Sequence, residues 1–400
     1  MMRFEFATAT RIIFGQYTVQ EVAPLAAGMG CRALVVTGRS LERSQPLISQ
    51  LSEHGVEAVT FQVPGEPTTD MALAGVRAAR EAECDLVIGL GGGSVLDTGK
   101  VISALLTNSG DLMDYLEIIG DGQPLTRPSA PYIAIPTTAG TGAEVAWNAV
   151  LISLEHKVKV SMRSPLMMPR LAVVDPTLTY TMPPSITAST GLDALTQVIE
   201  PYVSCHSNPL TDGICREGMQ RVARSLRRVY ENKSMEGVDA PSHPLSVDEA
   251  GREDMALASL FGGLALANAK LGAVHGLAGP LGGMIRAPHG IICARLLPLV
   301  MEANVSALQS RSSGSSALAL TRYHEIARIL TGKATAQADD GVLWVQDLCA
   351  ALNVPQLRDF GLTEDDFSAA VDKAKKASSM KGNPITLTGE ELTHILRKAV

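Results

Sequence analysis

Up to about residue 184, short apolar runs rich in β-branched residues alternate with stretches whose apolar residues recur every three to four positions. ALVVTG at 33–38, AVTFQV at 58–63, CDLVIGLGGG at 84–93, YIAIPTTAGTG at 132–142 and LAVVDP at 171–176 predict strands. Helical spacing follows Ser40, runs over 69–83 and resumes in SVLDTGKVISALL directly after the glycines. Continuous apolar strands separated by helices are the pattern of a parallel sheet with crossover helices.

Beyond that point the pattern is helical almost throughout. DALTQVIEPYV, PLTDGICREGMQRVARSLRRVYEN, EDMALASLFGGLALANAKLG and residues 291–305 all carry apolar 3–4 spacing. The Pro/Ser/Thr-rich TMPPSITAST at 181–190 predicts the boundary, and polar loops are expected around 236–246 and 310–316. The fold class is therefore an α/β N-terminal domain over 1–184, with a Rossmann-like parallel sheet, and an all-α C-terminal domain over 185–400.

Composition narrows the function. Of 400 residues, 46% are hydrophobic and 4% aromatic, so the core must be aliphatic. A net charge of −7 gives no reason to expect nucleic acid as a partner. Six cysteines without a CxxC pair read as reduced thiols. No leader-like N-terminus and no apolar run of membrane-span length is evident, which predicts a cytoplasmic protein with no membrane association.

Two glycine-rich segments carry candidate cofactor chemistry. In GLGGGSVLDTGK at 89–100, a strand runs into Gly91, Gly92, Gly93 and Ser94 and then a helix, so backbone N–H groups can approach a phosphate. The spacing matches neither a Walker loop nor G-x-G-x-x-G, and a ligand-free βα turn is the plain alternative. Asp97 falls in the first helical turn, where a carboxylate also complements the helix dipole. In PTTAGTGAEV at 136–145, Thr137, Thr138 and Thr141 supply hydroxyls at another strand's carboxyl end; simple turn capping is their alternative role. Ligands of open α/β sheets bind at that edge, so the pair of loops predicts a dinucleotide site.

Asp193 and Gln197 sit four apart and share a helix face; His275 and His289 follow in apolar, glycine-rich surroundings. One carboxylate and two imidazoles suit a borderline divalent cation, with Gln197 where a fourth strong ligand is expected.

Taken in order, GGGSVLDTGK, PTTAGTGAEV, RSPLMMPRLAVVDPTLTYTMPP, TGLDALTQVIEPYVS, NPLTDG, NAKLGAVHGLAGPLGG and PHG resemble the iron-containing (group III) alcohol dehydrogenases over about residues 5–395. The resemblance implies NAD(P)-linked oxidation of a small alcohol, or reduction of the aldehyde, in a homodimer or larger homo-oligomer. It implies that Asp193, His275 and His289 are catalytic metal ligands. Gln197 stands where the family has histidine, and Gly279 where it often has another; the neutral amide at 197 predicts weaker retention of the metal, Fe²⁺ or Zn²⁺, or a three-ligand Zn²⁺ arrangement with an open position for substrate. It also places Lys159 near the cofactor, with Lys157 as a rival. Gly38 takes the place of an aspartate frequent in NAD-preferring members. With Arg39 and Ser40 following it and no carboxylate, NADP is expected to be accepted and preferred.

Two alternatives come from the same superfamily: a metal-independent reductase of the maleylacetate reductase type and a lyase resembling dehydroquinate synthase. The scarcity of charge between the two histidines, Arg286 alone, disfavours the lyase. KGNP at 381–384 has no assigned role.

Overall fold

The computed structural model describes residues 3–156, 158–232, 248–311 and 315–400. Lys157 and the expected polar loop at 236–246 lie outside these residues, as does the middle of the loop at 310–316.

The described residues form two compact units, Ala7–Thr179 and Tyr180–Val400, the latter joined by residues 3–6. The first holds strands β1 (Ile12–Phe14), β2 (Arg32–Thr37), β3 (Glu57–Gln62), β4 (Leu86–Gly91), β5 (Tyr132–Pro136), β6 (Asn148–Ser153), β7 (Val158–Arg163) and β8 (Leu171–Val174). Its helices are α1 (Val22–Ala27), α2 (Gln45–Glu53), α3 (Thr69–Glu81), α4 (Gly93–Thr107) and α5 (Leu112–Tyr115). Six strands make a parallel sheet in the order β1-β8-β5-β4-β2-β3. All residues of β4, β5 and β8 are buried, as their unbroken apolar runs require when helices cover both faces.

The short edge strand β1 and the antiparallel β6–β7 hairpin were not expected from the sequence. β1 is three residues long and β7 alternates Lys, Ser and Arg with apolar residues, so neither makes a buried apolar run.

The second unit holds α6 (Pro184–Val203), α7 (Pro209–Glu231), α8 (Glu249–Ala269), α9 (Ala273–Met284), α10 (His289–Arg311), α11 (Ser315–Thr331), α12 (Ala338–Ala351), α13 (Phe367–Lys376) and α14 (Gly389–Ala399). The stretch at 181–190 is no linker: Pro184 opens α6 as a first-turn proline, and the helix runs on through it. The division between units falls after Thr179 rather than after residue 184. Segment 273–284, with four glycines and Pro280, does not read as a helix, yet tertiary packing makes it α9. Among the described residues, α10 is long and apolar enough to cross a membrane by length and composition. However, 67% of its most apolar window is buried inside the fold, and α6, α9, α12 and α14 pack against the helix.

The α/β unit buries one carboxylate at a cost. Glu144 is 1% exposed, its Oε1 has no hydrogen-bond partner among the described residues, and burial lifts its pKa from 4.5 to about 7. Lys100, itself buried, offsets only part of this. The folded state therefore holds a proton that the unfolded state releases, and stability falls as pH rises from about 4.5 towards 7. Glu144→Gln should remove that slope and leave the variant up to about 3 kcal/mol more stable than the parent near pH 8. Denaturant midpoints of both proteins between about pH 5 and 8 check this, and parallel curves would contradict it.

Candidate metal and cofactor site

Helix α6 is buried on all sides from Leu192 to Val203, and one of its faces carries three polar side chains into the core: Asp193, Gln197 and Glu200. Their spacing of four and then three keeps them in line. α8 and α9 meet at a bend of 99°, where Lys270 adopts φ +59°, and the turn delivers His275 in the first turn of α9. His289 is the first residue of α10. A Cβ on Gly290 would lie 2.6 Å from the Ser189 carbonyl oxygen, so only glycine lets the start of α10 press against α6.

These elements bring Asp193, His275, His289 and Cys293 together, with one donor atom from each lying within 4.8 Å of all the others. His275 Nε2 is 3.4 Å from Asp193 Oδ1 and 3.8 Å from Cys293 Sγ; His289 Nε2 is 3.6 Å from that sulfur. The imidazole centroids are 5.5 Å apart. Asp193 is 2% exposed and His275 9%, whereas His289 is only partly buried. Gln197 reaches the Asp193 carboxylate through its side-chain hydrogen bond and leaves its own Oε1 buried without a partner.

Glu200 was not singled out from the sequence, although its position seven after Asp193 is the signal that finds it. It is 4% exposed; Oε2 lies 2.7 Å from His275 Nδ1, and Oε1 accepts from the Val274 backbone N–H at 2.7 Å. A proton held on Nδ1 leaves Nε2 turned toward Asp193 with its lone pair available. Beside it, Asn383 Oδ1 accepts from the Ala273 N–H at 3.1 Å, while Asn383 Nδ2 donates to Asn304 Oδ1 at 2.7 Å. KGNP thus has a role: its asparagine, with Glu200, satisfies the first turn of α9 that carries His275.

The electrostatics show how strongly the cluster favours positive charge. Burial opposes ionisation of Asp193, yet His275, His289 and Gln197 hold its pKa below the usual carboxylate range. Burial likewise opposes charging of His275, but Cys293, Asp193 and Glu200 outweigh it and raise that pKa well above normal. Burial pushes the Cys293 thiol up to about 12. A buried cluster with two carboxylates demands a positive charge, and among the described residues Asp193 Oδ1 has no hydrogen-bond partner to share its own. A divalent cation fits this donor set: carboxylate, two imidazoles and sulfur, with an orphaned oxygen facing in.

In the α/β unit, the register sets Thr37 level with Leu90 and Gly91 level with Pro136, so the carboxyl ends of β2, β4 and β5 lie side by side. The strand order reverses between β2 and β4, the place where such sheets bind ligands. The two glycine loops touch there. The Thr137 N–H donates to Gly91 O at 3.0 Å, and a Cβ on Gly93 would meet Thr141 Cγ2 at 2.7 Å. Gly92 and Thr138 are neighbours as well, and Ser94 lies in the first turn of α4. Gly38, Arg39 and Ser40 follow β2, the last two exposed, and Arg39 Nε donates to the Pro64 carbonyl. Asp97 is engaged internally: Oδ2 accepts from the Val150 N–H at 3.0 Å and Oδ1 pairs with Lys100 at 3.0 Å. Lys159 pairs with Glu66 at 2.8 Å.

The model of iron-containing alcohol dehydrogenases matches residues 9–176, and that of the Fe-containing alcohol dehydrogenase C-terminal region matches 187–400. The chain belongs to the iron-containing alcohol dehydrogenase family. A 1,3-propanediol dehydrogenase of Klebsiella pneumoniae is 34% identical over 92% of each chain. A choline dehydrogenase of Bacillus subtilis is 30% identical over 99% of this chain and 94% of its own. A crystal structure of 1,3-propanediol oxidoreductase superposes with a TM-score of 0.88 at 31% identity over all of both chains. Like its family, the protein is an oxidoreductase acting on CH–OH groups, a nicotinamide-linked, metal-assisted alcohol dehydrogenase.

Glu200→Gln should weaken metal retention about 10–100-fold by releasing the His275 ring, with the helical content unchanged. Chelator competition alongside circular dichroism measures both, and equal retention would show that Glu200 does not orient the ligand.

Proposed function

We propose that the chain interconverts a small, weakly charged alcohol and its aldehyde, with NADP preferred over NAD, at a site built on Asp193, His275 and His289. The observation that carries this reading is the unpartnered, buried Asp193 oxygen inside a converged set of metal donors. In the oxidative direction the carbinol carbon gives a hydride to the nicotinamide, and the hydroxyl proton goes to solvent; aldehyde and NADPH are the products. A divalent cation, Fe²⁺ or Zn²⁺, would supply Lewis acidity at the substrate oxygen when bound. Asp193 contributes the charge, and His275 and His289 contribute neutral donors, the first fixed in its tautomer by Glu200. Gln197 is a neutral, weaker partner whose amide supports Asp193.

In this reading Ala7–Thr179 is the dinucleotide-binding unit and Tyr180–Val400 binds metal and substrate. Backbone N–H groups of Gly92, Gly93 and Ser94, at the start of α4, suit the pyrophosphate, with Thr137, Thr138 and Thr141 beside them. Asp97 and Lys159, each in an ion pair, are assigned to shaping that site from behind. Gly38 leaves room beyond β2 that no side chain fills. Arg39, anchored on Pro64, and Ser40 offer a cation and a hydroxyl to a 2′-phosphate. The substrates named for the relatives range from 1,3-propanediol to choline and long-chain alcohols, so chain length and charge are not carried over from them. A homodimer or higher homo-oligomer in the cytoplasm completes the reading, in keeping with six free cysteines.

Reduction of a panel of short aldehydes should run faster with NADPH than NADH, stop on chelation and return with Fe²⁺ or Zn²⁺. Arg39→Ala should raise KM for NADPH with little effect on NADH. Equal use of both cofactors, or a preference for NADH, would overturn the NADP assignment. Turnover by metal-free protein would move the chain to the metal-independent reductases.

A further inference from the structure

The sequence leaves the metal site one strong ligand short at Gln197. The structure brings up a different residue. Cys293 lies one helical turn after His289 on α10, fully buried, and its sulfur points between the two imidazoles. The hydrogen-bond partners of that sulfur among the described residues are the two histidines. Across from it stand the unpartnered Asp193 Oδ1 and the unpartnered Gln197 Oε1. Four donor atoms thus converge: α6 supplies Asp193, α9 His275, and α10 both His289 and Cys293.

We propose that Cys293 is the fourth protein ligand of the cation, bound as thiolate, and that Gln197 acts as a hydrogen-bond partner of Asp193 rather than as a ligand. This inference rests on the proposed metal site and adds to it. Cation uptake then displaces the thiol proton to solvent, and the donor set changes character. With Asp193 and Cys293 both anionic, the ligands balance the charge of a divalent ion. A soft sulfur beside two imidazoles also shifts preference from Fe²⁺ towards Zn²⁺. The count of four protein donors is kept despite Gln197, and substrate oxygen would enter as a fifth.

The test is made on full-length protein loaded with Zn²⁺ or with Co²⁺ as its spectroscopic stand-in. X-ray absorption at the zinc edge should show one sulfur at about 2.3 Å among nitrogen and oxygen neighbours. The Co²⁺ form should show an intense near-ultraviolet thiolate charge-transfer band that Cys293→Ser abolishes and Gln197→Ala leaves in place. The zinc-edge measurement uses the parent protein, so it decides the matter even if Cys293→Ser folds poorly. One bound ion with only nitrogen and oxygen neighbours would overturn the role of Cys293 while leaving Asp193, His275 and His289 as a metal site. Failure of the parent protein to take up any ion, matching Asp193→Asn, would overturn both.

Discussion

The helical unit is organised around a pair of carboxylates, Asp193 and Glu200, that α6 carries into its core two turns apart. A bare carboxylate in an apolar interior is costly, and each of these has drawn other elements to itself. Glu200 takes the Val274 N–H and the His275 ring, which fixes the first turn of α9. Asp193 faces that same ring, and the start of α10 closes on it because Gly290 permits contact with α6. The shape of the site follows from satisfying buried charge.

This accounts for the glycine-rich helix α9. Its propensity is poor, with four glycines and a proline in twelve residues, and it is held by contacts at its beginning. Glu200 and Asn383 take its first free N–H groups, and Asn304 steadies Asn383 in turn. A chain of hydrogen bonds therefore runs from Asn304 on α10 through Asn383 of the KGNP turn to the Ala273 N–H, two residues before His275. In the proposed metal site, affinity and local stability would be linked through it, since loosening Asn383 or Glu200 frees the backbone that aims the imidazole.

The α/β unit rests on a different constraint. Its strands β4 and β5 are buried on both faces and end level with one another, so the loops that follow must share one small space. Glycine at 93 is what allows Thr141 to approach, and the outcome is a surface of backbone N–H groups and hydroxyls. The ion pair of Asp97 with buried Lys100 braces α4 against β6 beneath that surface. Residues adjacent in the motif have thus separated into those forming the loop surface and those supporting the fold.

Much of this was legible in the amino-acid order. Long apolar runs and strict helical spacing fix element type by themselves, so the six-stranded sheet lacked only the three-residue β1, and most of the large helices were readable. Asp193, His275 and His289 stood out because their residue types are costly in apolar surroundings. Tertiary structure decided the rest. Whether 273–284 is a helix depended on partners more than a hundred residues away in sequence for Asn383 and about seventy for Glu200. Glu200 and Cys293 were visible as letters at helical spacing, seven after Asp193 and four after His289, yet nothing local says which face of a buried helix turns toward the histidines. Sequence determines which groups are available and their phase on each element; only packing sets the distances between elements, and a metal site is defined by those distances.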